Sequence, residues 1–106
     1  MPYSYAASKL SDAVHTLVVS PGNVRERLRL ASEALTLLSP AHFPPNLRSD
    51  FVDLYADLSK YGPVISYDGS IQEGAISNTL RRIRNRTGSK LAQRVYDLAI
   101  AVNAMI

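Results

Sequence analysis

Two sets of side chains have types and spacings that chemistry uses. In Ser11, Asp12 and His15 the serine lies four residues and the aspartate three residues before the imidazole, so on a helix both reach the ring. Such a set is raw material for nucleophilic catalysis, with the imidazole as base and the carboxylate orienting it. A hydrolase also needs donors aimed at a developing oxyanion and a concave wall, and a convex helix surface supplies neither. The set therefore reads as a plain polar face. The second set is Ser77, Asn78, Arg81, Arg82, Arg84 and Arg86, inside the stretch GAISNTLRRIRNRTG that runs from Gly74 to Gly88. Hydroxyl, carboxamide and guanidinium groups hydrogen-bond phosphates, base edges and carboxylates, so this set points to binding.

Other chemistries find little to work with. Cysteine is absent, which excludes disulfides, thiolate nucleophiles and thiolate zinc sites. His42, the second of two histidines, sits in a proline loop, and without a tight acidic cluster no metal site is expected. No glycine pattern of a phosphate-cradling loop occurs, so no cofactor is expected either. These readings describe a protein that is not an enzyme.

The elements that carry these residues follow from apolar spacing and from glycine and proline punctuation. A first helix is expected from about Tyr3 to Val18, with Ala6, Leu10, Ala13, Val14 and Leu17 inward and Ser20-Pro21-Gly22 as its stop. Asn23-Val-Arg-Glu26 resembles a capping box and opens a second helix through Val24, Leu28, Ala31, Leu35 and Leu38. Ser39 to Pro45 is a stiff connector whose last prolines suit the first turn of a third helix. That helix carries Leu47, Phe51, Leu54, Tyr55, Leu58 and Tyr61, and Gly62-Pro63 ends it. Val64 to Gly69 is expected to be a loop with a turn at Asp68-Gly69, too short and isolated for a sheet. Ser70-Ile-Gln-Glu73 is a second capping-box pattern opening helix four, with Ile76, Leu80 and Ile83 inward and Gly88 closing it. Ser89 then caps helix five, which uses Leu91, Val95, Leu98 and Val102. The result is an all-α fold, a compact bundle of four to five helices in one domain over residues 1–106.

Residues Ala75-Ile-Ser-Asn-Thr-Leu-Arg-Arg-Ile-Arg84, followed by Gly88 and Leu91, resemble the recognition helix of LysR-type bacterial transcription regulators. The resemblance covers about seventeen residues. It implies a helix-turn-helix placing Ser77, Asn78, Arg81 and Arg82 near bases or phosphates. Such a motif needs a first helix joined by a turn of three or four residues, whereas here nine residues separate Tyr61 from Ile71. Placed on one helix, the arginines cover the solvent side and both margins of the apolar stripe and form no narrow track. Asp50, Asp53 and Asp57 step by three and four on helix three and offer acids for them, within the chain or across a dimer.

Composition completes the expectation. The chain has 106 residues, 46% hydrophobic and 20% charged, which suits one ordinary globular core. Nine of its twelve cations are arginine, a lean toward anionic partners. Residues 46–73 hold two cations against five acids, and residues 74–106 hold six cations against one. No signal-peptide pattern or membrane-length apolar run is seen, so a soluble cytoplasmic protein without membrane contact is expected. Residues 98–106 carry Asn103 as their one polar side chain, so helix five is either central in the bundle or meets a second copy in a homodimer. Among the tyrosines, Tyr3, Tyr5 and Tyr67 suit partner contacts, whereas Tyr55, Tyr61 and Tyr96 read as core-edge residues. The expected function is that of a small regulator, adaptor or inhibitor working by protein–protein binding. The alternative is an accessory nucleic-acid binder that sets Arg81, Arg82, Arg84 and Arg86 on phosphates, with Arg25 and Arg29 as neighbours.

Overall fold

Helical spacing of small and apolar residues buries Ala6, Leu10 and Ala13 along α1 (Ser4–Val19) in the computed structural model, which describes residues 2–106. The chain turns at Ser20 to Asn23 and enters α2 (Val24–Leu35). The Asn23 side chain accepts the Glu26 N–H at 3.1 Å, and its own amide donates to the Glu26 carboxylate at 3.2 Å. The cap is thus the expected one, except that Glu26 reaches back to the asparagine side chain and not to its backbone. α1 packs along α2, and both pack on α5 (Asn85–Asn103), the longest helix.

The proline connector does more than bridge. Two single 3-10 turns, Pro40–His42 and Pro45–Leu47, fold it against the body, and Phe43 between them is fully buried. Its ring stacks on Phe51 of α3 (Arg48–Leu58) with centroids 4.5 Å apart, and Phe51 in turn meets Tyr55. Arg48 donates to the Phe43 carbonyl at 3.1 Å and holds the connector's exit. α3 lies on α5 as well, so Leu54, Leu58, Val95, Leu98 and Val102 share one core with Leu10, Leu28 and Leu35. The all-α bundle is therefore the observed architecture, with five α-helices among the described residues. Among the described residues no helix is long and apolar enough to cross a membrane.

Three expectations need correction. Val64 to Gly69 is not only a loop, and Ser70 to Glu73 does not open a helix: β1 (Val64–Ile65) and β2 (Ile71–Glu73) pair antiparallel, with Ile65 opposite Ile71 and Val64 opposite Glu73. The turn at Asp68-Gly69 is present. Gly69 sits at φ 89°, its N–H bonds the Ser66 carbonyl at 2.9 Å, and the Ser66 N–H bonds Ser70 across the ribbon at 2.8 Å. That is a three-residue hairpin loop with glycine in the left-handed position, which brings its flanking residues into register.

Secondly, Ser70 to Gly88 is not one helix. α4 spans only Ala75–Arg82, with Gly74 as its N-cap. Ile83 and Arg84 are both extended (φ −85°, ψ 165° and φ −85°, ψ 159°), and α5 begins at Asn85. Arg25 of α2 occupies the break, donating from Nη1 to the Ile83 carbonyl at 2.8 Å and from Nε to the Asn85 side-chain oxygen at 2.9 Å. Ile83 itself turns inward and is buried. A carbonyl that a continuous helix would have tied to a later N–H is satisfied from outside, which removes the usual reason for the helix to continue.

Thirdly, Gly88 closes nothing, since it lies buried in the second turn of α5 where that helix meets α2. A Cβ there would stand 3.1 Å from Arg25 Cγ and 3.2 Å from Val24 Cγ1, so the glycine permits the close approach that also brings Arg25 onto the break. The apolar end of α5 is mostly covered: Leu98, Ala99 and Val102 are buried, and Ile100, Met105 and Ile106 stay about half exposed. With extents of 45 × 28 × 18 Å the body is about two helix layers thick, and no helix is wrapped on every side.

Gly88→Leu is expected to push α2 and α5 apart, lowering stability by about 1–3 kcal/mol in chemical denaturation. Unchanged stability would mean that the two helices are not in close contact at this point.

Candidate functional site

The Asn78 side chain is buried and makes three hydrogen bonds. Its amide donates to the Gly62 carbonyl at 2.9 Å, while its oxygen accepts Arg81 Nη2 at 2.9 Å and Arg82 Nε at 3.0 Å. Beside it the fully buried Thr79 accepts the Tyr61 N–H on its hydroxyl oxygen at 3.1 Å. Two neighbouring side chains of α4 thus grip Tyr61 and Gly62, the root from which the ribbon leaves. Glu73, at the ribbon's other root, pairs with Arg81 at 3.1 Å and accepts the Ser77 hydroxyl at 3.3 Å. A buried amide and a buried hydroxyl are kept in the interior because these partners satisfy them.

This grip determines what each residue of the expected binding set is free to do. Asn78 is buried against the ribbon root, and half-buried Ser77 donates to Glu73 there while also lining the groove between α2 and α4. Arg81 is shared between Glu73 and Asn78. Arg82 lies over the Tyr61 ring at 5.7 Å and is also held by Asn78, a cation–π contact plus a hydrogen bond. Arg84 lies in the break as the N-cap of α5 and Arg86 in the first turn of α5, both exposed and with no side-chain hydrogen bond or ion pair among the described residues. Arg81 and Arg82 therefore belong to α4, Arg84 to the break and Arg86 to α5, and of the four only Arg84 and Arg86 lack a side-chain partner among the described residues. The acids of α3 meet α5 and not α4: Asp57 pairs with Arg94 at 2.6 Å. Both partners are well exposed, so the pair is worth about 1 kcal/mol or less. Of the other expected neighbours, Arg25 is spent on the helix break and Arg29 lines a groove between α2 and α4 of about 370 Å³.

Past its roots the ribbon carries apolar side chains into water. Ile65 and Ile71, cross-strand partners, are 53% and 66% exposed, and Tyr67 at the tip is fully exposed. Tyr61 is about half exposed beside Lys60, whose ammonium lies 5.1 Å from the ring centre. The sequence reading singled out Tyr67 but missed Ile65 and Ile71. The signal was present, an Asp-Gly turn flanked on both sides by an apolar β-branched residue. At the tip, Asp68 accepts the Ser70 hydroxyl at 2.7 Å and the Ser70 N–H at 3.0 Å. These two bonds, the hydroxyl's first, stabilise the carboxylate and hold its pKa below the usual aspartate range.

The other candidates stay apart. Ser11, Asp12 and His15 are exposed and not hydrogen-bonded to one another; Asp12 faces Lys9 at 3.8 Å. His42 takes the Ser39 N–H on Nδ1 at 3.0 Å and packs on Tyr5 at 4.8 Å. Among the described residues no group of three histidine or acidic side chains gathers closely enough to hold a metal ion. Tyr55 is half-buried, whereas Tyr96 is about half exposed.

Asn78→Ala is expected to cost about 1–3 kcal/mol in chemical denaturation, because it strips the Gly62 carbonyl and two guanidinium groups of a partner at once. Wild-type stability in that variant would show that the grip on the ribbon root is dispensable. Asp68 gives a second check, by its titration. Its folded pKa is lowered, so the support it lends the turn is complete above the ordinary aspartate range and is lost as pH falls through the lowered value. Side-chain carbon shifts should show Asp68 titrating below the ordinary aspartate range, and Ser70→Ala should move it upward; an unlowered value that Ser70→Ala leaves unchanged would contradict the turn geometry.

Comparison with family models, with curated proteins and with solved structures gives no match, so the ribbon, its grip by α4 and the clamp at the helix break stand on their own geometry.

Proposed function

We propose that this chain works by protein–protein association, with the β1–β2 ribbon as its contact element, and performs no bond chemistry of its own. The observation that carries the reading is the solvent-facing set Ile65, Tyr67 and Ile71 on a ribbon anchored only at its root. A two-stranded ribbon is marginal by itself, and large apolar side chains in water favour whatever contact covers them. Tyrosine at the tip and arginine at the root are the residue types that concentrate binding energy at protein interfaces. The arginines lean the same way. With Arg81, Arg82 and Arg94 each hydrogen-bonded within the chain, fewer guanidinium groups are left for a track along a phosphate backbone.

A second reading rests on Arg84, Arg86 and Lys90, which stand exposed around the first turns of α5, where a helix's N-terminus favours anions. In this reading the same end of the helix takes nucleic-acid phosphate.

A photoreactive benzoylphenylalanine in place of Tyr67 is expected to form one defined protein adduct in the host cell. The same group at the exposed Glu33 should form none, and Ile65→Ser with Ile71→Ser should abolish the adduct at the tip. Equal labelling at both positions, or none at either, would sink the reading. For the phosphate alternative, neither the wild type nor Arg84→Glu with Arg86→Glu should retard duplex DNA or RNA at about 0.1 M salt, where phosphate-directed binding is normally detected. Retardation by the wild type that the double variant loses would select the alternative instead.

A further inference from the structure

The tip of the ribbon and the groove beside its root are chemically complementary. From Tyr61 to Leu80 the chain has Asp68 and Glu73 and no cation, and Glu73 is neutralised by Arg81. Asp68 is left as the ribbon's free charge, next to the exposed Tyr67 ring. The groove, about 330 Å³, lies between the end of α3 and the start of α5. Ile83, Leu91 and Thr87 line it together with Lys60, Lys90 and Arg94, and its one acid, Asp57, is already paired with Arg94. Lys60 and Lys90 have no acidic partner among the described residues. An apolar floor rimmed by unpaired ammonium groups suits an aromatic ring flanked by a carboxylate.

The chain does not fill this groove with its own tip, since Tyr67 is fully exposed. Groove and ribbon nevertheless start side by side: Lys60 on the rim immediately precedes Tyr61 at the root. An arm and a receptor that originate together can be exchanged about a twofold axis, each copy closing the other's groove, and such a contact is self-limiting. Resting on the reading of the ribbon as the contact element, we infer that its partner is a second copy of this chain, with Tyr67 and Asp68 of each protomer seated between Lys60 and Lys90 of the other. The ring gains an apolar floor, and the Asp68 carboxylate, kept ionised by Ser70, gains two cations. The half-exposed end of α5 is not part of this contact.

Sedimentation equilibrium of the full chain, up to about 1 mM to reach even weak association, is the test. A dimer is expected, and Asp68→Lys or Lys90→Asp should each weaken it at least about fivefold, as a lost or inverted surface pair does. Asp68→Lys combined with Lys90→Asp should recover part of the loss. Tyr67→Ser, which leaves the turn hydrogen bonds in place, should weaken the dimer about thirtyfold if the ring is the anchor. Circular dichroism of each variant checks that the helices are intact. A monomer throughout the series, a dimer indifferent to Tyr67 and Asp68, or no recovery in the double reversal overturns the inference. A monomer that still gives a single Tyr67 adduct with a different protein overturns this inference while leaving the ribbon as the contact element; a monomer with no adduct removes both.

Discussion

The side chain of Arg25 reaches from α2 to a carbonyl that an uninterrupted helix would have used, and the shape of the C-terminal half depends on that reach. With Ile83 bonded to the guanidinium and Asn85 holding its other edge, two extended residues separate α4 from α5. The guanidinium fork suits the task, since it presents donors to a backbone carbonyl and to a side-chain amide at the same time. Gly88 contributes by being small: it lets α5 approach α2 closely where Val24 and Arg25 leave the helix surface. A clamp and a missing side chain thus fix one bend between them.

From that bend follows the character of the surface. Because α4 stops at Arg82, its last turn points Arg81 and Arg82 back toward Asn78, Glu73 and Tyr61, where they brace the ribbon. Because α5 starts anew, Arg84 and Arg86 lie past the end of α4 and have no side-chain partner among the described residues. An arginine run that looks like one basic face in the sequence is divided into a structural half and a free half. The ribbon gains from the division, for α4 grips both strands near their roots through buried or half-buried polar groups and leaves the apolar tip in solvent. Anchored roots and a greasy tip suit the proposed contact role, in which little would have to be ordered on binding.

Much of this was legible in the sequence. Leucine and alanine at three- and four-residue steps identify α1, α2, α3 and α5, and Asn23 marks the start of α2 as expected. What local patterns missed has long-range causes. No neighbour of Ile83 in the chain announces a helix break, because the group that stabilises it lies 58 residues earlier. Gly88 looks like a stop signal to local rules, since a glycine chosen for close approach and one chosen for a left-handed turn are the same letter. Ser70-Ile-Gln-Glu73 satisfies the pattern of a capping box but spends Ile71 and Glu73 on a strand, and Glu73 still serves α4 by binding Ser77 and Arg81. Phe43 lies in a stretch whose prolines mark it only as a stiff connector, yet it is one of the most deeply buried side chains. Of the expected binding set, Asn78 proved hardest to place, as a carboxamide looks the same in sequence whether it reads a ligand or holds a neighbouring carbonyl.

The claim on which the rest turns is that α4 and α5 are two helices, and carbon secondary chemical shifts of the isotope-labelled chain address it directly. Helical shifts from Ala75 to Arg82, extended shifts at Ile83 and Arg84, and helical shifts resuming at Asn85 are the predicted pattern. Unbroken helical shifts from Ala75 through Gly88 would contradict it, returning the four arginines to one continuous face and leaving Arg25 without a role at the bend.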